Sequence, residues 1–251
     1  MKQSFQAGGF EEPACRYRVF DNSVSNLWDP YGAINLVLDE VEQSDPADRP
    51  EWIIFCHQDL VLDQGHDIGD LMVALHELDE TDPTWALAGN AGMTDRMTMI
   101  SHISCPNYSN FPVQQPCSVV TLDENLLIVK PRPGLRCSAD MSGFHLYGTD
   151  LCLNALRRGH GSYVINFRLT HNSMGTVDER FYQVLRKLQD VWRSRFFGLF
   201  VGTTVTTFAL SRFKLLHRIM NNGRATMYAV GHPALCSFLL RINRSLMKAK
   251  E

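Results

Sequence analysis

Apolar positions along the first 195 residues follow two periods, and segments of each kind alternate. Ile34, Val37, Leu38 and Val41 are spaced as on one face of a helix. The run WIIFC (52–56) is continuously apolar and ends in polar residues, which is typical of a buried parallel strand. The pattern predicts helices over 32–42, 67–78, 149–158 and 177–195. It predicts strands over 16–20, 52–56, 85–92 and 162–169, two more within 118–131, and a long loop over 94–118.

Strands that alternate with helices predict an α/β fold with a mixed, mainly parallel sheet flanked by helices. In such sheets ligands bind outside the carboxyl ends of the strands, so the residues that follow each strand are candidates for binding. These residues are Asp21, Asn22, His57, Gln58, Asp59, the stretch 89–92, and His171. We therefore expect polar and acidic groups to converge at one edge of the sheet.

Three of these candidates, together with Asp150, have both a structural and a functional interpretation. Asp59 follows the strongest predicted strand, where a carboxylate either caps a turn or binds a hard divalent cation that also contacts phosphate. His171 is either a hydrogen-bonded structural residue or a ligand of a metal such as manganese. Asp150 stands at a helix start, where it either interacts with the helix dipole or acts as a general base. Asp21 is either a turn residue or an acceptor for a nucleobase or ribose.

Composition narrows the class of protein further. Of the 251 residues, 45% are hydrophobic and 20% are charged, which excludes a disordered or collagen-like chain. Seven cysteines without a CxxC pair indicate free thiols rather than a disulfide framework. The N-terminal residues lack the apolar segment of a signal peptide, so a cytoplasmic location is expected.

The chain has no P-loop, no GxGxxG motif after a strand, and no HExxH or GxSxG motif.

Positive charge is concentrated in residues 193–251. This segment holds ten Lys/Arg and one acid, a net charge of +9, whereas residues 1–192 carry a net charge of −12. We interpret it as a basic, mostly helical extension whose uncharged stretch 196–211 is too short and too polar to span a bilayer. The extension either packs on the acidic body, forms a homodimer contact, or lies on an anionic membrane surface. We expect no nucleic-acid partner, because no recognised module accompanies the basic residues.

Taken in order, the segments between residues 17 and 182 resemble the GT-A-fold glycosyltransferases of the family-2-like group. VFDNS (19–23) is similar to the strand of that fold whose Asp-Asn pair binds the nucleotide. WIIFCHQDLVL (52–62) is similar to the strand that precedes a DxD-like metal motif, and VTLDENLLIVKP (120–131) to the strands that line the donor and acceptor pocket. The sharpest match is GFHLYGTDLCLNALRRGHGSYVINFRLTHNSMG (143–175), which resembles the segment with the acceptor-site acid, a helix, a strand and a metal-binding His.

This resemblance implies a metal-dependent, inverting hexosyl- or related transferase of polysaccharide biosynthesis. It would move a sugar from a nucleotide-sugar donor to a hydroxyl of a glycan, lipid-linked or protein acceptor, at the inner face of the membrane if it is peripheral. Asp59 and His171 would hold Mn²⁺ or Mg²⁺ on the diphosphate, and Asp150 would be the catalytic base. The nucleotide would be bound by Asp21, Asn22, Gln58 and Asp59. The alternative is a non-catalytic nucleotide- or sugar-binding protein of the same fold.

The chain departs from the family pattern at two points. Residues 1–15 contain no apolar strand, so the first strand of the fold is missing or degenerate. The acidic pair before the catalytic helix is reduced to Thr149-Asp150. On this basis residues 1–192 are interpreted as a GT-A-like domain and residues 193–251 as its helical C-terminal extension.

Overall fold

The computed structural model describes residues 1–63, 65–104, 115–173 and 177–248. The helices are α1 Lys2–Ala7, α2 Pro30–Gln43, α3 Ile68–Thr81, α4 Tyr147–Arg157, α5 Glu179–Trp192, α6 Lys214–Met220, α7 Gly223–Gly231 and α8 Pro233–Lys248. The strands are β1 Ile53–Cys56, β2 Leu60–Leu62, β3 Leu87–Gly89, β4 Ala91–Met93, β5 Met99–Ser101, β6 Ile103–Ser104, β7 Cys117–Val119, β8 Thr121–Leu122, β9 Leu126–Val129, β10 Ser162–Val164, β11 Leu169–His171, β12 Leu199–Gly202 and β13 Thr207–Leu210. The fold is mixed α/β, as the sequence predicts.

The central sheet has the strand order β1-β9-β3-β10-β7. β9 runs antiparallel between β1 and β3, so that Val129 pairs with Ile53 on one side and Leu87 on the other. β10 is parallel to β3 and antiparallel to β7. The prediction of a mainly parallel sheet is therefore wrong. The crossover through α3 does make β1 and β3 point the same way, but alternation along the chain does not reveal that a later strand enters between them.

The two faces of this sheet are buried by different helices. Leu127 and Val129 face a hydrophobic cluster formed with α2, α4 and α5, whereas Leu126 and Ile128 face a second cluster formed with α1 and α3. Successive side chains of a strand point to opposite faces, so four residues of β9 contribute to both clusters. β9 is the strand that joins the two halves of the core.

Residues 16–20 do not form the predicted strand, and no described strand pairs with them. Arg16, Arg18 and Val19 are exposed, and the Arg18 guanidinium forms an ion pair with Glu40 of α2. Side-chain contacts hold the segment in place, because the Tyr17 hydroxyl also donates to the carbonyl of Phe10 at 2.6 Å. Strand propensity without a neighbouring strand leaves backbone groups to solvent.

Three other predictions differ in detail from the observed elements. The Gly-rich end of 85–92 continues as the short strand β4, and 162–169 contains β10 followed by the start of β11. The predicted loop 94–118 contains β5, β6 and the first residues of β7, although 105–114 lie outside the described residues. These strands are two or three residues long, which is too short for a period to be recognised in the sequence.

The prediction of a helical extension is wrong for residues 199–210, which form the antiparallel hairpin β12–β13. This hairpin is buried in the same cluster as α4 and α5. The Thr121 hydroxyl donates to the carbonyl of Gly202 at 2.6 Å, and the Thr204 hydroxyl donates to Asp123 Oδ2 at 2.7 Å. The uncharged stretch 196–211 is therefore part of the core, which runs without a break across the predicted boundary at residue 192. The strands read LFVG and TFAL, and a short, continuously apolar run suits a buried strand.

Asp150 connects three elements from inside this core. Its side chain is fully buried and accepts the backbone N–H of Ser138 at 2.6 Å, the Ser138 hydroxyl at 2.7 Å and the Trp192 indole N–H at 2.6 Å. Burial raises the pKa of Asp150, and these three donors oppose that rise. The carboxylate thus holds α4, the loop at residue 138 and the end of α5 together.

We expect Asp150→Ala to lower the free energy of unfolding by about 3 kcal/mol, because it leaves the Trp192 and Ser138 donors buried without an acceptor. Urea unfolding followed by tryptophan fluorescence measures the change. Asp140→Ala is the matched control, since Asp140 is exposed. Equal stability of the two variants would show that the Asp150 contacts do not hold these elements together.

Candidate metal site

Three side chains that can ligate a metal converge beside the small sheet β2-β11-β6. One ligand atom each from His57, Asp59 and His171 lies within 4.8 Å of the other two, and all three residues are half-buried. Among the described residues, this is the group of three or more His, Cys, Asp or Glu side chains with metal-ligand spacing.

The backbone fixes the relative positions of these side chains. His57 directly follows β1, and its N–H donates to the carbonyl of Asn125 at 3.1 Å. Asp59 lies in the turn between β1 and β2. β11 pairs antiparallel with β2, which places His171 opposite Leu60, the residue after Asp59. All three positions are therefore set by main-chain pairing before any metal is considered.

A second tether connects the Asp59 turn to the end of β11. Both the backbone N–H and the side-chain amide of Asn172 donate to the carbonyl of Asp59, at 3.2 and 3.0 Å. This pair of hydrogen bonds holds the two chain segments at a fixed distance. His171 Nε2 consequently lies 3.3 Å from Asp59 Oδ1.

The electrostatics favour the ligand form of two of these residues. Partial burial opposes ionisation of Asp59, but a hydrogen bond with Ser173 and the proximity of His171 outweigh it, so the pKa of Asp59 is lowered. Burial, followed by the neighbouring His171, lowers the pKa of His57 despite the opposing charges of Asp123 and Asp59. A negative carboxylate and a neutral imidazole are the forms that bind metals.

His57 has a partner on the side away from Asp59. Its Nε2 lies 2.8 Å from the hydroxyl of Tyr147, the first residue of α4, and that hydroxyl donates to the carbonyl of Glu124 at 3.2 Å. A tyrosine that donates elsewhere accepts from the imidazole, which places the proton on Nε2 and leaves the lone pair on Nδ1.

The structure brings together the predicted metal ligands Asp59 and His171. It adds His57, which the sequence analysis placed at the same sheet edge without a role as ligand. The signal was available: His57 and Asp59 are two residues apart, and both directly follow the strand that the sequence predicts.

The predicted nucleotide-binding residues occupy two different environments. Gln58 is exposed and lies between His57 and Asp59 in the chain. Asp21 accepts the N–H of Ser23 at 2.8 Å in an exposed loop. The amide of Asn22 donates to the carbonyl of Trp28 at 2.7 Å and accepts its N–H at 3.0 Å. Both loop residues therefore stabilise the loop itself, and nucleotide binding by this set stays a prediction.

Comparison with known proteins assigns the chain to a family. No protein-family model matches it. The chain is similar to the protein named ATP synthase subunits region ORF 6 of Fuscovulum blasticum, with 32% identity over 206 residues that cover 78% of each chain. This chain belongs to the family of that ORF 6 protein. The match extends over most of the folded chain and is therefore not confined to one motif.

The comparison overturns the function that the GT-A resemblance implies. The relative is named for the ATP synthase subunits region and not as a glycosyltransferase. The prediction of a sugar-transferring enzyme of polysaccharide biosynthesis is therefore wrong, and the role of Asp150 as catalytic base is withdrawn with it. The fully buried position of Asp150 agrees with this correction, because the carboxylate has no exposed surface toward a substrate. The correction does not affect the positions of His57, Asp59 and His171, which the structure gives whatever reaction the family performs.

The described helices include none that is long and apolar enough to cross a membrane.

A carboxylic acid next to the Tyr147 contact titrates abnormally. Burial and the charge of Asp123 raise the pKa of Glu124 to about 8, while the backbone N–H groups of Gly148 and Leu146 partly oppose the rise by donating to it. Those N–H groups belong to the start of α4, where Leu146 adopts a positive φ of 63° and provides no side-chain cap. Glu124 thus caps the helix that carries Tyr147.

We expect the protein to lose stability as the pH rises from about 4.5 toward about 8, because folded Glu124 keeps a proton that the unfolded chain releases in this window. Glu124→Gln cannot release a proton and should reduce this decrease. Urea unfolding across the window measures it, with exposed Glu77→Gln as control. An unchanged pH profile in Glu124→Gln would contradict the assignment.

Proposed function

We propose that this protein binds a divalent first-row transition-metal ion through His57, Asp59 and His171, and that the ion in turn holds an oxygen ligand from solution. The convergence of the three ligand atoms within 4.8 Å of one another is the observation that carries this proposal. Two imidazoles and one carboxylate are a donor set that occurs at metal sites with open coordination positions.

The donor set discriminates among metals. Mg²⁺ and Ca²⁺ prefer oxygen ligands. Imidazole binds Mn²⁺ as well, although less strongly than it binds Zn²⁺, Fe²⁺ or Co²⁺. Of the two ions expected from the sequence, Mn²⁺ therefore fits better than Mg²⁺. Zn²⁺ and Fe²⁺ belong to the same class of candidates.

The surroundings of the three residues support ligation. The hydrogen bond between His57 Nε2 and Tyr147 orients the ring, as a partner outside the coordination sphere does in many metal sites. Because this contact occupies Nε2, Nδ1 is the nitrogen with a lone pair for the ion. The Asn172 tether fixes the carbonyl of Asp59, so little conformational freedom remains to be lost on binding.

Three protein ligands leave at least one position of a four- to six-coordinate ion open. An ion held at this half-buried site would polarise a bound phosphate, carboxylate or water oxygen as a Lewis acid. The ligand class that the site favours is therefore an oxyanion. The ion, held by Asp59, His57 and His171, would position the oxyanion.

The finer assignment of the fold as GT-A-like is a proposal about architecture alone. It is supported by the order of the segments that resemble that fold and by the placement of ligands after β1 and at the end of β11. The absence of strand pairing at residues 16–20 argues against the GT-A-like architecture. The proposal concerns the architecture only and does not include sugar transfer.

We expect Asp59→Asn and His171→Gln each to weaken Mn²⁺ and Zn²⁺ binding by about tenfold or more, since each removes one of three ligands. Isothermal titration calorimetry with each metal salt measures the affinity. Electron paramagnetic resonance of bound Mn²⁺ should show coupling to imidazole nitrogen. Binding should also weaken on acidification, because protons compete for the same lone pairs.

Asp140→Asn and His76→Gln are matched controls, because both side chains are exposed and lie on other elements. They should bind as tightly as the native protein. The metal site is refuted if all four variants bind Mn²⁺ and Zn²⁺ with the same affinity. It is also refuted if the native protein binds neither metal.

A further inference from the structure

The helices α6, α7 and α8 expose large apolar side chains that nothing in the described protein covers. Leu215 and Met227 are each 72% exposed. The other large apolar side chains exposed in this segment are Phe213, Ile219, Tyr228, Val230, Phe238 and Leu246. Clustered exposed apolar residues indicate an interaction surface rather than ordinary surface composition.

A groove lies between α6 and the start of α7, and two of these exposed side chains line it. It has a volume of about 520 Å³ and is lined by Leu215, Arg218, Ile219, Asn222, Arg224 and Ala225. The spacing of the three α6 residues places them on one face of that helix. We call the groove and its rim the basic apolar face.

The basic apolar face is held outward by contacts on the opposite side of α6. Met220 is buried, and the Asn221 side chain accepts the N–H of Ala209 and donates to its carbonyl, both at 2.9 Å. This anchors the end of α6 to β13. Leu215 and Ile219 consequently cannot turn into the core without breaking those hydrogen bonds.

The positive charge of this segment has no ion-pair partner among the side chains that the structure describes. Residues 212–248 contain seven Lys/Arg and no Asp or Glu. Among the described side chains, the ion pairs all lie between residues 18 and 193, and none involves a basic residue between Arg212 and Arg244. By contrast, Arg136 contacts both Asp39 and Glu42. The basic helices therefore do not pack on the acidic body through charge.

We propose that the basic apolar face docks on the surface of an anionic lipid bilayer. Leu215 and Ile219 would enter the boundary between headgroups and acyl chains, while Arg218 and Arg224 on the rim of the groove would contact lipid phosphates. Apolar side chains interleaved with basic ones on short helices are typical of interfacial segments. Each basic residue near an anionic surface strengthens binding to it by about fivefold.

A second copy of the chain is less compatible with these observations. It would bring the same uncompensated positive charge against itself in a two-fold contact. The proposal is independent of the metal site, because it uses none of the same residues.

The test is flotation of the full chain with vesicles of phosphatidylcholine alone or mixed with phosphatidylglycerol, in the absence of added metal. We expect binding to the mixed vesicles only, and less binding at high salt. Arg218→Gln/Arg224→Gln should lower partitioning by about tenfold or more, and Leu215→Glu/Ile219→Glu should do the same. The matched controls are Arg180→Gln on α5 and Val73→Glu on α3, whose side chains are exposed.

Size-exclusion chromatography without lipid separates the alternatives. Protein that stays in solution with both kinds of vesicle at low salt overturns the proposal. So does binding that the two groove variants and the two controls share equally. A dimer that Leu215→Glu/Ile219→Glu dissociates, with no binding to vesicles, would assign the basic apolar face to a second copy instead.

Discussion

The entry of β9 between β1 and β3 is the constraint on which the rest of the structure depends. Each residue of this strand is paired on at least one side, and its alternating side chains supply both hydrophobic clusters. Because β9 covers the inner edge of β1, the other edge of β1 is left at the margin of the sheet. The chain leaves β1 there at His57, and the turn that follows carries Asp59. The position of the candidate metal site is thus a consequence of strand order.

The candidate site combines charges that main-chain pairing forces together. Asp59 and His171 lie 3.3 Å apart because β2 and β11 are paired and Asn172 binds the Asp59 carbonyl twice. The nearby His57 has a lowered pKa, chiefly because burial disfavours the charged imidazole and further because His171 lies beside it. A divalent cation would offset the carboxylate charge and use both imidazoles in their neutral form. Preorganisation of this kind lowers the entropic cost of binding.

The hairpin β12–β13 decides how the C-terminal helices are presented. It fills the space beside α4 and α5 with apolar side chains, so α6, α7 and α8 are attached to its outer side and only part of their apolar surface is buried. Their basic side chains, as far as the structure describes them, form no ion pair with a carboxylate. The buried hairpin β12–β13 thereby produces a surface that is both apolar and positively charged. This surface contains none of the metal ligands.

The sequence by itself determined the helices α2, α3, α4 and α5 and the strand β1, because each has a continuous period or an uninterrupted apolar run. It also placed Asp59 and His171 at strand ends. Only the tertiary structure decided that β9 separates β1 from β3, that Asp150 is enclosed by Ser138 and Trp192, and that His57 and Asp59 form a cluster with the distant His171. These outcomes depend on contacts between distant segments, and a local pattern carries no information about which segments will meet.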